Sequence, residues 1–136
     1  AKTVLPLAGL HLLLAEDNEL NSEIATALLE EQGASITAVE NGRLALEAIQ
    51  NAAPRTYDAI LMDVMMPEMN GLEATRCIRA FEGKGPGEGT PIIAMTANVF
   101  ADDVKACLDA GMNSHVGKPL DMKVLIGEIL KYTDTR

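Results

Sequence analysis

Apolar residues along this chain follow two rhythms that alternate five times. Strand-like segments, most of them rich in apolar residues, occur at Leu10 to Glu16, Ser35 to Val39, Asp58 to Asp63, Thr90 to Thr96 and Asn113 to Gly117. Each is followed by a segment with apolar residues at helical spacing: Glu19 to Gln32, Gly42 to Gln50, about Leu72 to Phe81, Asp102 to Ala110 and Asp121 to Lys131. The first helical segment repeats Leu20, Ile24, Ala27 and Leu28, and the second sets Leu44, Ala45, Ala48 and Ile49 on one side. Gly33 and Gly111 stand where helices commonly stop. Ala59-Ile60-Leu61-Met62 and Ile92-Ile93-Ala94-Met95 have no polar face, as in strands covered by helices on both sides.

Strands that alternate with helices imply parallel β-α-β units with right-handed crossovers. Five such units predict an α/β fold, a doubly wound five-stranded parallel sheet of order 2-1-3-4-5 with helices on both faces. One domain over residues 1–136, with a core of about 10–132, accounts for the length. The stretch Gly83-Lys84-Gly85-Pro86-Gly87-Glu88-Gly89 is a connector by composition. A phosphate-binding loop would need glycine at Ile78 and a hydroxyl residue at Gly85, so that reading fails on spacing.

In a sheet of this order, ligands bind beyond the carboxyl ends of the strands, at the switch point between strands 1 and 3. Strand 1 runs into Glu16-Asp17 and strand 3 ends at Asp63. Either site alone reads as turn chemistry, with Asn18 capping the first helix and acids favoured by its N-terminal dipole. Acids on both strand ends change the picture. They would repel one another unless a hard divalent cation with oxygen ligands joined them, and Mg²⁺ suits carboxylates, waters and phosphate oxygens. Thr96 closes strand 4 with a hydroxyl, and Lys118 follows strand 5 with a compact cation that suits a phosphoryl oxygen.

Composition narrows the classes. A net charge of -9 argues against nucleic acid, which needs clustered Lys and Arg. No apolar run reaches the length of a membrane span. Cys77 and Cys107 have no ligand-spaced partner, so a reducing compartment is the simpler inference and a cytoplasmic location is expected.

The motifs Ala15-Glu16-Asp17-Asn18, Leu61-Met62-Asp63-Val64-Met65-Met66-Pro67-Glu68-Met69-Asn70-Gly71, Ala94-Met95-Thr96-Ala97 and Gly117-Lys118-Pro119 resemble the receiver domain of two-component signalling proteins. The Asn-Glu-Leu-Asn opening of the first helix and the Met-Pro-Glu-Met-Asn-Gly loop look most like receivers of hybrid histidine kinases. The resemblance implies a flavodoxin-like fold and a phosphoacceptor role for Asp63. It implies direct Mg²⁺ ligation by Asp17, Asp63 and the backbone carbonyl of Met65, with Glu16 acting through water. Thr96 would bind a phosphoryl oxygen and move with it, and Lys118 would pair with the phosphoryl group, or with Asp63 when that group is absent. A cis peptide before Pro119 is also implied. The family usually has an aromatic residue three positions before the lysine. His115 stands there instead, as the candidate switch residue with Thr96.

The implied partners are a histidine kinase or histidine phosphotransfer domain, with no nucleic acid or membrane contact by this domain. A homodimer through the fourth helix, fifth strand and fifth helix is a further implication. The phosphoryl group would come from phosphohistidine, change partner binding, and leave by transfer or hydrolysis. The domain would phosphorylate and dephosphorylate itself without being a turnover enzyme. Within a hybrid sensor kinase, anchored in a membrane, it would be a cytosolic part of a kinase. An aspartyl-phosphate phosphatase would want a second Asp where Met65 stands. A flavin-binding module would want a phosphate loop after strand 1 and more aromatics than the 3% here. The chain opens with Ala1 and shows no output domain after its last helix, which reads as a piece of a longer protein.

Overall fold

The computed structural model describes residues 5–53, 55–64, 66, 69–85, 87–96, 101–117 and 120–133, with the side chains of 101–103 excepted. The elements are β1 (His11–Ala15), α1 (Glu19–Glu31), β2 (Ser35–Val39), α2 (Gly42–Asn51), β3 (Ala59–Asp63), α3 (Gly71–Glu82), β4 (Ile92–Thr96), α4 (Ala101–Ala110), β5 (Ser114–Gly117) and α5 (Met122–Thr133). They form one parallel sheet in the order β2-β1-β3-β4-β5. The expected topology is therefore the observed one.

Strand alternation divides the core between the two faces. Leu12, Leu14, Leu61, Ile93 and Met95 join Ala25 and Leu29 of α1 and Leu125 and Ile129 of α5. Leu13, Ile60, Met62, Ile92 and Ala94 join Ala45, Ile49, Ala74, Ile78 and Cys107 of α2, α3 and α4. Every residue of β3 and β4 is buried, which is why these strands carry no polar alternation. The segment before β1 also contributes: Leu7 is fully buried in the α1–α5 face, and its amide donates to the Gln32 carbonyl at 2.9 Å.

The apolar repeat of α1 differs from the face it buries. Leu20, Ile24 and Leu28 are exposed, while Ala25 and Leu29 meet the core. Both sets have helical spacing, and periodicity alone does not say which of two apolar stripes faces the sheet.

At the amino end of β4 and β5, Arg79 of α3 is buried. Its guanidinium donates to the carbonyls of Gly111 (2.8 Å) and Thr90 (2.9 Å), to Asn113 Oδ1 (2.9 Å) and to Glu82 (2.9 Å). Glu82 in turn accepts from the Thr90 amide and hydroxyl at 3.1 and 2.6 Å. Burial pulls the Arg79 pKa below its ordinary value, against the opposing charge and hydrogen bond of Glu82. This polar cluster ties α3 to both strands at the end of the sheet opposite the acids.

Candidate functional site

Three asparagines organise the carboxyl end of the sheet. Asn18, Asn41 and Asn70 each leave extended backbone and cap the helix that follows, accepting from the amides of Asn21, Leu44 and Glu73 at 2.9, 2.8 and 2.9 Å. The capping role expected for Asn18 is present, and it coexists with an acidic site. The chain past β1 keeps its sheet geometry for one more residue, because the Glu16 amide donates to the Val39 carbonyl at 3.0 Å. Ala15 pairs with Met62 in the sheet register. One step further along both strands places Glu16 beside Asp63.

Glu16, Asp17 and Asp63 each offer a carboxylate oxygen within 4.8 Å of the others. Glu16 and Asp63 are buried and Asp17 is exposed, so the cluster has a dry floor and a wet mouth. Glu16 Oε1 accepts from the Asn21 side-chain amide at 3.2 Å. Asn21 belongs to the Asn-Glu-Leu-Asn opening, but no role followed from it in the sequence. The signal was its position one helical turn after the cap, on the side of the acid.

The donor set fits Mg²⁺. Ligands on opposite sides of an octahedral Mg²⁺ lie about 4.2 Å apart, and the ion keeps several of its waters. Carboxylate oxygens that lie within 4.8 Å of one another are close enough to share one such ion, directly or through its waters. Buried like charges with no cation would repel strongly, which supplies the drive for capture.

Thr96, buried at the end of β4, lies one residue beyond Met95, the register partner of Asp63. Thr96 itself pairs with Gly117, the residue before Lys118. Lys118, Pro119 and their peptide bond, Met65, Ala97 and Asn98 lie outside the described residues. His115 is half-buried on β5 and pairs with Ala94.

Sequence and fold comparisons bear on this arrangement. Residues 12–130 match the response regulator receiver domain. The chain belongs to that family. It is 41% identical over 140 residues to probable histidine kinase 1 of Oryza sativa subsp. indica, covering 82% of this chain and 14% of the relative. It is 39% identical over 121 residues to sensor protein GacS of Pseudomonas syringae pv. syringae, covering 89% and 13%. The chain thus spans about one-seventh of the length of these curated relatives. Among solved structures, the receiver domain of sensor histidine kinase PA1611 from Pseudomonas aeruginosa superposes with a TM-score of 0.80 at 38% identity, over 93% of this chain and 99% of that one. That structure has a magnesium ion coordinated in its active-site cleft. A complex of the Saccharomyces cerevisiae histidine phosphotransfer protein Ypd1 with the receiver domain of Ssk1 matches with a TM-score of 0.82 at 26% identity, over 93% and 90% of the chains. This receiver domain is accordingly of the kind found inside histidine kinases, in two-component signalling. Among the described residues, no helix is long and apolar enough to cross a membrane.

Proposed function

We propose that this receiver domain accepts a phosphoryl group from a phosphohistidine onto Asp63, at a Mg²⁺ site made with Asp17 and, through water, Glu16. The observation that carries the reading is the convergence of these carboxylates within 4.8 Å at the switch point of the sheet. The PA1611 relative, which holds Mg²⁺ in its cleft, supports it.

An Asp63 carboxylate oxygen forms the new bond to phosphorus as the bond from phosphorus to the donor imidazole nitrogen breaks, and the donor histidine leaves to take up a proton. Such transfers depend on in-line positioning and on neutralising the equatorial oxygens. Burial of Asp63 fixes its attacking oxygen and limits water. Bound Mg²⁺ would supply positive charge to the carboxylates and the transferring group. Lys118 is assigned the other cation and Thr96 the hydroxyl that follows the phosphoryl oxygens. Met65 is assigned a backbone ligand, and His115 is the switch residue on β5. Water or a second histidine later removes the phosphoryl group, so the domain switches rather than turns over.

The donor is assigned to a histidine kinase or phosphotransfer domain. The exposed stripe of Leu20, Ile24 and Leu28 on α1 offers it an apolar seat beside the acids. A cavity of about 280 Å³ between α1 and Leu120 opens at the same edge, floored by Leu14 and Met95 and reaching Glu16. Output, including self-association, is assigned to α4, β5 and α5, where Leu108 and Val124 are exposed. The setting is the cytosolic side of a sensor kinase, whose full length would carry the kinase activity.

The test is phosphorylation by acetyl phosphate with and without Mg²⁺, with mass mapping of the modified residue. The expected result is a single Mg²⁺-dependent phosphoryl group on Asp63, absent in Asp63→Asn. Undiminished modification in that variant would overturn the assignment.

A further inference from the structure

We infer that Gly42, at the start of α2, is a positioning residue for the phosphoacceptor, although it is far from Asp63 in sequence and belongs to another β-α unit. The inference rests on the Mg²⁺-dependent acceptor reading of Asp63.

The path runs through two close approaches of backbone. Gly71 lies back against the end of β3: the Val64 amide donates to the Met95 carbonyl at 3.2 Å, and the Gly71 amide donates to the Val64 carbonyl at 3.0 Å. Gly71 sits directly on the acceptor. A Cβ there would overlap the carbonyl oxygen of Asp63 and lie 3.0 Å from Met62 Cγ and Val64 Cα. The residues just before Gly71 are then held from the other side by Gly42. Its amide donates to the Met69 carbonyl at 3.0 Å. A Cβ on Gly42 would overlap that same carbonyl oxygen, and would lie 2.9 Å from Ala74 Cβ and 3.1 Å from the Asn70 carbonyl oxygen. Asn41, which caps α2 and is itself buried, sets where Gly42 stands.

Two of the atoms that Gly42 meets are backbone oxygens, which cannot rotate aside as a side chain can. A methyl group at Gly42 must therefore push Met69 and Asn70 away from α2. Gly71 follows Asn70 covalently and has no free space against Asp63. The displacement passes to the acceptor and to the segment that begins at Val64. Partners that orient metal ligands without touching the metal are worth roughly 10–100-fold in affinity. Gly71 has that relation to Asp63, and Gly42 acts on it through Met69 and Asn70.

The experiment compares the wild-type chain with Gly42→Ala and with Ile129→Ala, a core truncation in α5 on the opposite face of the sheet from Met69, Val64 and Ala74. The first readout is the Mg²⁺ dissociation constant by calorimetric titration. The second is the backbone amide NMR shift of Asp63, Val64 and Gly71 without metal. Gly42→Ala is expected to raise the Mg²⁺ dissociation constant roughly tenfold and to shift those metal-free amides. Ile129→Ala is expected to lower Tm and do neither. A Gly42→Ala protein that loses stability but keeps both its Mg²⁺ affinity and its amide shifts would overturn the inference and reduce Gly42 to packing. If wild type itself takes up no Mg²⁺, the acceptor reading fails, while the metal-free shifts still decide whether Gly42 positions Asp63. If Gly42→Ala does not fold, Asn41→Ala loosens the same support without adding an atom. Unchanged amides of Asp63 and Gly71 in that variant would equally overturn the inference.

Discussion

Replacing Asp63 by Asn should stabilise the metal-free domain and remove its response to Mg²⁺. The carboxylate oxygens of Glu16, Asp17 and Asp63 lie within 4.8 Å of one another. Glu16 and Asp63 are only 4% and 5% exposed, so water screens their repulsion poorly. At that upper limit of separation two unit charges repel by about 0.9 kcal/mol in bulk water and by about 3.5 kcal/mol at an effective dielectric near 20. Asp17 is exposed and adds little to this sum. An amide also offers one acceptor oxygen where the carboxylate offers two, and a lost buried acceptor costs about 1–3 kcal/mol, which offsets part of the relief. A net gain of about 1–2 kcal/mol remains, or about 4–8 °C in Tm for a domain of this size. Wild type should gain about 2.7 kcal/mol when Mg²⁺ stands at a hundred times its Kd, and the variant should gain almost nothing. Thermal unfolding of both proteins in EDTA and in Mg²⁺ measures all four values. A variant no more stable than wild type in EDTA would show that repulsion does not govern this cluster. A variant that gains as much from Mg²⁺ as wild type would remove Asp63 from the metal site.

Asp17→Ala should weaken Mg²⁺ binding far more than Asp121→Ala, because the Asp121 carboxylate lies outside the acidic cluster and accepts from the Lys123 amide at 3.0 Å at the start of α5. Equal affinities in a titration would count against the cluster. Arg79→Met should cost about 3–5 kcal/mol in chemical denaturation, since it strands buried acceptors and Glu82, while leaving the Mg²⁺ affinity of the folded protein unchanged at the far end of the sheet. A loss no larger than that of an exposed ion pair, about 1 kcal/mol or less, would mean that the cluster of Thr90, Gly111 and Asn113 is satisfied without the guanidinium. His115→Ala should blunt the NMR shifts that beryllofluoride with Mg²⁺ produces on α4 and α5, yet leave phosphorylation at Asp63 intact. An unaltered pattern of shifts would show that β5 transmits the signal without this side chain.

Much of the molecule was legible from local pattern. Each strand and helix announces itself through residues adjacent in the chain, and the alternation leaves few topologies once crossovers must be right-handed. The acids could be placed because strand ends in a parallel sheet share one edge. Asp63 and Glu16 met there for a reason that needs no knowledge of side-chain packing. Asn18 was legible both as a cap and as a neighbour of the acids, and it is both.

What the chain alone did not reveal are the choices made between units. Two stripes on α1 have helical spacing, and only the docked helix shows that Ala25 and Leu29 go in while Leu20, Ile24 and Leu28 stay out. Arg79 had no role in the sequence pattern, and only the fold brings Thr90, Gly111 and Asn113 around it just before β4 and β5. Gly42 reads as the first residue of the second helix, and Gly71 as the end of the Met-Pro-Glu-Met-Asn-Gly loop. Their value lies in the absence of a side chain at two points where backbone from another part of the chain passes within contact. Periodicity reports which way a residue faces within its own element. The identity of what it faces is set when the elements pack, and in this protein that packing brings Gly71 against the Asp63 backbone.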